Sequence, residues 1–501
     1  MLELIVFAVA LATRLSVVLT STGGLGGNFG YDASVYYAAA DSFTFGRLPY
    51  RDFVLLHPPG IMLALAPFAW LGRMTSDHAG FMTAAVAFSV LGAVNAALVV
   101  RIARRIGLPG HAALIGGLFY AMWMGSSAVE IVGRLEPLGS FLFLCGLLAM
   151  FAARDSGRRR TYVLAGLALG AAVGVKIWWI VPALVVLAWH LTRDRRAQLP
   201  AITLGAAAAL ALVYGPFFLA APSTMWHMVV TEQLGRPSRV TSLPTRLDEL
   251  TWMTGEGRLS ITQAHALAVV LGALSLVAVV LAWRVRPARL FVVVAVCQTL
   301  LLLRAPSWFP FYADYLAPSA ALCLAAAVGP AGSRERRWVR PLAVAVPGLC
   351  AVIAASATLT YLLGGKDGAV WPAPTTSLVA DASQVRCVMS NSPMGLILID
   401  SLSRDLRNGC TNWVDVTGRS YGIGPAPSSR GAEHLTWQQW QPLLRSYLFS
   451  GQAVVLVTDS GAQLAVPTRT ALARSGVLGR AGGDVIYRTP TDTGVPAHAQ
   501  S

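Results

Sequence analysis

Residues 30–60, GYDASVYYAAADSFTFGRLPYRDFVLLHPPG, set Asp32, Asp41, Arg47, Arg51, Asp52 and His57 among Tyr31, Tyr36, Tyr37 and Tyr50. These are side chains that act on polar substrates. A carboxylate or imidazole can take a proton from a hydroxyl, and a guanidinium can hold an anion through paired hydrogen bonds. Apolar segments flank the stretch, so the group sits just outside a membrane span. Polar and aromatic residues this dense form either an ordered site or a costly loop. The side of the membrane they face decides which chemistry is open to them.

Other ionisable residues stand at the ends of apolar segments: Arg14, Glu130, Arg134, Glu136, Lys176, Glu232, Arg236 and Asp314, the last beside Tyr312 and Tyr315. Charge at a span end is expensive unless it is paired or functional. Each group has a bland reading. Arg134 and Glu136 can form a structural salt bridge, Arg14 and Lys176 can snorkel to headgroups, and His57 can be an interfacial residue ahead of Pro58-Pro59. What favours function is that so many of them are expected at one face of the membrane.

The elements that must position these groups are membrane spans. Of 501 residues, 55% are hydrophobic and 13% charged, and mean hydropathy is +0.59. A soluble chain of this length needs far more charge to cover its surface. The net charge of +15 is carried by short arginine clusters between apolar segments, at 101–105, 154–160, 193–196, 284–289 and 334–340. That is the positive-inside pattern, with each cluster cytoplasmic. None has the continuity of a groove that tracks a nucleic-acid backbone, so nucleic acid is excluded as a partner. The first apolar segment lacks a basic lead and reads as a retained helix rather than a cleaved signal.

An even number of spans must separate successive cytoplasmic clusters. The segment at 59–72 is short, follows Pro58 and contains Pro67. About 20 residues are needed to cross, so it is expected to lie at the outer interface. Eleven spans follow: 3–20, 79–100, 111–128, 138–153, 161–175, 177–191, 200–219, 264–283, 290–303, 315–329 and 341–363. The N-terminus is then cytoplasmic, and residues 30–60 and 364–501 lie outside. Residues 364–501 are expected to form a small exoplasmic α/β domain, from β-like runs RCVMSN, AVVLVTD and GDVIYRT and helical spacing in TWQQWQPLLRSYL and near 464–475. Residues 1–363 form the transmembrane domain. Cys387 and Cys410, both in the polar tail, are expected to be disulfide-bonded there; Cys145, Cys297, Cys323 and Cys350 lie in apolar spans as small hydrophobes. The glycine-rich GGLGGNFG lacks the Lys-Ser/Thr of a P-loop and reads as a flexible lead-in.

An outer first loop with Asp32 soon after the first span, the turn GRLPY and then YRDFVLLHPPG resembles the GT-C glycosyltransferase superfamily. The likeness is to protein O-mannosyltransferases, lipid A aminoarabinose transferases and, through D-x-x-x-Y-x-x-A at Asp32, bacterial polyprenol-phosphate-mannose-dependent mannosyltransferases. RLEP before the fourth span, Q-x-x-R after the seventh and FYADY before the tenth are further parallels, and the resemblance covers about residues 1–363. It implies an inverting transfer of a sugar, mannose first and a pentose behind it, from a polyprenyl-phosphate donor. The acceptor is a lipid, glycan or protein of the cell envelope, met on the outer face of the plasma membrane.

In that mechanism Asp32 is the candidate general base. Arg14, Arg134, Lys176 and Arg236 are candidates for the donor phosphate. Tyr36, Asp52, His57, Glu136, Tyr312 and Tyr315 are candidates for substrate. In two places the chain departs from the pattern. The acid often found after the first Asp is Ala33 here, so a two-carboxylate metal site in the loop is not supported and no cofactor is expected. The C-terminal domain matches no chemistry of the family.

Two other classes compete. A transporter or lipid flippase would place ionisable groups near the bilayer midplane and show repeat symmetry, and neither is seen. A scaffold working through its C-terminal domain would leave the first-loop cluster unexplained.

Overall fold

The computed structural model describes residues 1–20, 30–192, 195–235, 241–252, 261–329, 339–363, 376–423, 438–457, 463–481 and 484–490. It is mostly helical. A helix stands at each of the eleven expected spans, and seven described helices are long and apolar enough to cross a bilayer. These include Leu2–Leu19, Asp77–Arg105, Leu135–Ser156 and Pro341–Leu363.

The remaining four are short. Gly110–Met122, expected to run to 128, stops where Trp123 turns extended at ψ 127°. Arg159–Val175, Ile180–Trp189 and Ala313–Ala327 have 17, 10 and 15 residues. Gly60–Met74 is a helix with Pro67 inside it. The glycine-rich lead-in at 23–29 lies outside the described residues.

Helices here close on each other through small residues, as they must where lipid supplies no hydrophobic drive. Arg159–Val175 meets Leu199–Ala220 backbone to backbone: a Cβ at Gly166 would stand 2.0 Å from Ile202 O, and one at Gly205 would stand 2.1 Å from Val163 O. A Cβ at Gly60 would stand 2.5 Å from Gly174 O. That contact brings the end of the segment 45–59 against the C-terminus of Arg159–Val175, whose cap residue is Lys176.

The C-terminal part holds a four-stranded sheet in the order β1-β2-β4-β3, with β1 Val388–Ser390, β2 Ala453–Val455, β3 Val477–Ala481 and β4 Asp484–Arg488. β1 and β2 are parallel, and the other two pairings are antiparallel. Three strands and the helices Trp440–Leu448 and Val466–Arg474 fall where the sequence placed them, while β3 was not foreseen. Cys387 and Cys410 are joined in a disulfide.

This part docks on the helices Tyr31–Thr44 and Asp77–Arg105. Ser403 donates from its hydroxyl to both oxygens of Asp41 at 3.0 Å and from its amide to Asp77 Oδ2 at 3.0 Å. The Asp77 amide in turn donates to Asp400 Oδ1 at 2.7 Å. Burial, with the Asp77 charge adding to it, pushes the Asp41 carboxyl up to about 8.

A carboxyl held above its ordinary value in the folded chain takes up a proton as the chain folds. What Asp41 contributes to stability is therefore full below the ordinary carboxylate range and is lost as pH climbs through about 8. The melting temperature in detergent is expected to fall between pH 5 and pH 9. Asp41→Asn should flatten that fall; a profile that keeps its slope in the variant would show that another group controls it.

Candidate active site

The helix Tyr31–Thr44 starts after Gly30, whose φ of +93° suits glycine. A side chain at that position would also crowd Arg134, whose Nη2 lies 3.3 Å from where the Cβ would be. Asp32 falls in the first turn, where the helix dipole favours a negative charge. Tyr36 is one turn on, so the two side chains share a face. The Tyr36 ring meets His57 edge to face at 5.6 Å between centroids. His57 is held by its backbone: Tyr50, itself at φ +69°, donates its hydroxyl to the His57 carbonyl at 2.7 Å.

Lys176 approaches from the facing helix end. Its Nζ lies 2.6 Å from Glu136 Oε1, and both side chains are buried. It also sits 4.1 Å from the Trp178 ring centroid and 4.2 Å from that of Tyr312. A carboxylate and two aromatic faces thus hold one ammonium in a largely dry place, where its field on a neighbouring anion is strong. Arg134 caps the start of Leu135–Ser156, with its guanidinium 4.5 Å from the Phe311 ring centroid.

Asp32, Tyr36, His57, Glu136, Lys176 and Tyr312 all line one small cavity of about 60 Å³, walled elsewhere by Leu55, Leu56, Phe309 and Phe311. Burial, then the Asp32 charge, raises the Tyr36 phenol well above its ordinary range, so it remains a neutral hydroxyl able to donate. A carboxylate, a cation and hydroxyl donors converging on one cavity can deprotonate a nucleophile and steady a departing anion.

Four of the expected residues that the structure describes do not line this cavity, Arg134 among them. Arg14 is wholly buried elsewhere: Nε donates to Glu130 Oε2 at 3.0 Å and Nη1 donates to the carbonyls of Ala10 and Ala121 at 3.0 and 3.1 Å. Glu130 also accepts from Asn95 at 2.8 Å and Tyr120 at 2.8 Å, so Arg14 belongs to a structural network. Tyr315 donates its hydroxyl to Trp178 O at 2.8 Å and so fixes a wall of the Lys176 cage from behind. Asp52 accepts from the Leu48 amide at 2.7 Å and pairs with Arg51, which closes the turn between them. Arg236 lies outside the described residues.

The Arg14 correction is testable. Arg14→Met leaves Glu130 buried without its counter-ion, and breaking such a pair costs about 3–5 kcal/mol. The variant is expected to accumulate poorly and melt early in detergent, while whatever folds binds anionic ligands as the wild type does. A variant of normal stability with weakened anion binding would return Arg14 to the site.

The structure also brings in a residue that the sequence did not suggest. Asp415, from the C-terminal part, lines the same cavity. Tyr31, the neighbour of Asp32, donates its hydroxyl to Asp415 Oδ1 at 2.8 Å and accepts from the Thr417 amide at 2.6 Å. Nothing local to Asp415 signals this, since the contact spans 384 residues. Among the described residues, no group of three or more His, Cys, Asp or Glu is placed to hold a metal ion.

A model of glycosyltransferase family 87 matches residues 55–306. No curated protein matches the chain. Among solved structures, ArnT from Cupriavidus metallidurans bound to undecaprenyl phosphate is similar, at 16% identity and TM-score 0.60, over 98% of this chain and 98% of its own. The oligosaccharyltransferase of Archaeoglobus fulgidus in complex with zinc and sulfate aligns at 14% identity and TM-score 0.56, over 91% of this chain and 68% of its own. The same archaeal enzyme with an inhibitory peptide and a dolichol-phosphate aligns at 14% identity and TM-score 0.53, over 91% and 69%. At these identities the likeness establishes the fold.

Proposed function

The chain belongs to glycosyltransferase family 87 and has the GT-C fold of multi-pass membrane glycosyltransferases, and from that premise we propose that it is an inverting enzyme that takes its sugar from a polyprenyl-phosphate donor. The sugar proposed is mannose, and the acceptor is a component of the cell envelope. The observation that carries this reading is the caged Lys176 beside Asp32 in one cavity. The bound undecaprenyl phosphate of the ArnT structure and the dolichol-phosphate of the archaeal enzyme support it. The family assignment leaves the transporter and scaffold readings without a basis.

In this reading the acceptor hydroxyl gives its proton to Asp32 as its oxygen attacks the anomeric carbon. The new glycosidic bond forms on the face opposite the leaving group, while the bond from that carbon to the phosphate oxygen breaks. Negative charge builds on the departing lipid phosphate. Lys176 receives it within the cavity, with Arg134 adding its charge from against the Phe311 ring. Tyr36 and His57 orient sugar or acceptor hydroxyls, and Glu136 and Tyr312 hold Lys176 in place. No metal is assigned a step.

The proposed topology is eleven crossings in the plasma membrane, with Gly60–Met74 at the outer interface and residues 364–501 outside as a separate domain. An impermeant thiol reagent applied to intact cells should then label the tail only after reduction. Labelling before reduction would remove the disulfide and keep the topology; a tail shielded until lysis would overturn the topology. For the function, native mass spectrometry of the purified chain should show binding of polyprenyl phosphate that is weakened by the paired change Lys176→Met with Glu136→Leu. An unaltered lipid complex in the variant would contradict the assignment of Lys176.

A further inference from the structure

A second cavity adjoins the first, between the outer first loop and the C-terminal part. It encloses about 210 Å³ and is walled by Arg47, Asp52, Asn412, Trp413, Asp415 and Arg419, among others. Asp415 lines both cavities, so they meet at this residue. Its carboxylate is built in. Oδ1 accepts from Tyr31 at 2.8 Å and from the Gly418 amide at 2.7 Å, and a Cβ at residue 418 would stand 2.2 Å from Oδ2. Only glycine permits the loop to close so tightly on the acid.

The opposite wall is equally fixed. Trp413 stacks flat on Tyr447, 4.2 Å between centroids and 4° from parallel, and Arg419 lies over the indole at 5.6 Å. The disulfide at Cys410 anchors the start of the segment. Asn412 is nine-tenths buried, with 7% of its surface exposed, and its Nδ2 has no hydrogen-bond partner among the described residues. A buried amide donor left without a partner costs about 1–3 kcal/mol. The Asn412 side chain also lines the cleft, beside the two arginines and two carboxylates.

These groups describe the ligand. Amide, guanidinium and carboxylate groups around an indole suit a ring with many hydroxyls and one apolar face, which is a sugar. The walls come from polar loops, 47–54 and 410–419, rather than from membrane helices, so a polyprenyl tail has no reason to lie here. We propose that this cleft is a carbohydrate subsite for the acceptor, holding one ring of a glycan and presenting its neighbour to Asp32 past Asp415. The inference rests on the reading of the first cavity as a sugar-transfer site. It also gives the C-terminal domain a role: it closes the reaction site and selects the acceptor.

The test uses the purified full chain in nanodiscs. Mannobiose, maltose, galactobiose and arabinobiose serve as carbohydrate probes by saturation-transfer NMR, and polyprenyl phosphate serves as the lipid probe. At least one disaccharide is expected to bind the wild type, and Asn412→Leu and Arg419→Ala should each weaken it at least tenfold with lipid binding unchanged. Asn412→Leu keeps about the same volume and removes a donor without a partner among the described residues, and its melting temperature is read beside that of the wild type. Arg419→Ala is an exposed change that guards against loss of the fold. No binding by any disaccharide, or equal binding in both variants, overturns the subsite. A wild type that binds the disaccharide in the cleft but not the lipid keeps the carbohydrate site and overturns the transfer reading instead.

Discussion

Asp32→Asn is expected to lower sugar transfer by about 10² to 10⁴, the usual contribution of a positioned general base, while the protein stays folded and inserted. Asparagine keeps the shape of the side chain and its place in the first turn of Tyr31–Thr44. What it loses is the capacity to take a proton from the acceptor. The other two carboxylates of the stretch are internal controls because the structure gives them other work. Asp41 receives the Ser403 hydroxyl across the docking surface, and Asp52 caps the turn at Leu48. Their Asn variants should leave the chemical step near normal, with Asp41→Asn acting on docking and Asp52→Asn on the loop and on the acceptor cleft that it lines. Near-normal turnover of Asp32→Asn, with loss in Asp41→Asn or Asp52→Asn, would mean that the base is another carboxylate.

The second large effect concerns Lys176. A single Lys176→Met change leaves Glu136 buried without its counter-ion, and the fold would lose about 3–5 kcal/mol. That loss would mask any effect on catalysis. Changing both residues, Lys176→Met with Glu136→Leu, removes the two charges together and is close to neutral for folding. The double variant is expected to insert normally and turn over about 10² to 10³ more slowly, the range for removing one preorganised donor from a developing anion. Donor KM should rise as well, because the same ammonium meets the ground-state phosphate. Normal turnover in the double variant would reduce the pair to a structural ion pair.

Much of this was legible in the chain. The spans were, because apolar runs broken by arginine clusters obey simple length and charge rules, and helices occur where those rules put them. Asp32, Tyr36 and His57 were, because a first turn, the next turn and the loop before Pro58 lie close in sequence. Lys176 and Glu136 stood out as charges in apolar surroundings, although only the fold could pair them.

Arg14 shows the limit. A charge at a span end reads the same whether it faces a substrate or another side chain, and the Glu130 that neutralises it is 116 residues away. Tyr315 was a sound aromatic candidate whose hydroxyl is turned to Trp178 by helix packing that the sequence does not display. Asp415 was invisible for a related reason. Its tail lacks periodicity or a motif that would tie it to the first loop, and only docking at Ser403 and Tyr31 brings it to the cavity.

The most direct test of the central claim is single-turnover consumption of labelled polyprenyl-phosphate mannose by the purified chain in liposomes, supplied with a cell-envelope extract as acceptor. The expected result is release of free polyprenyl phosphate matched by sugar of inverted anomeric configuration on the acceptor, with both lost in Asp32→Asn at equal protein. Equal release by the wild type and Asp32→Asn, or a product of retained configuration, would contradict it.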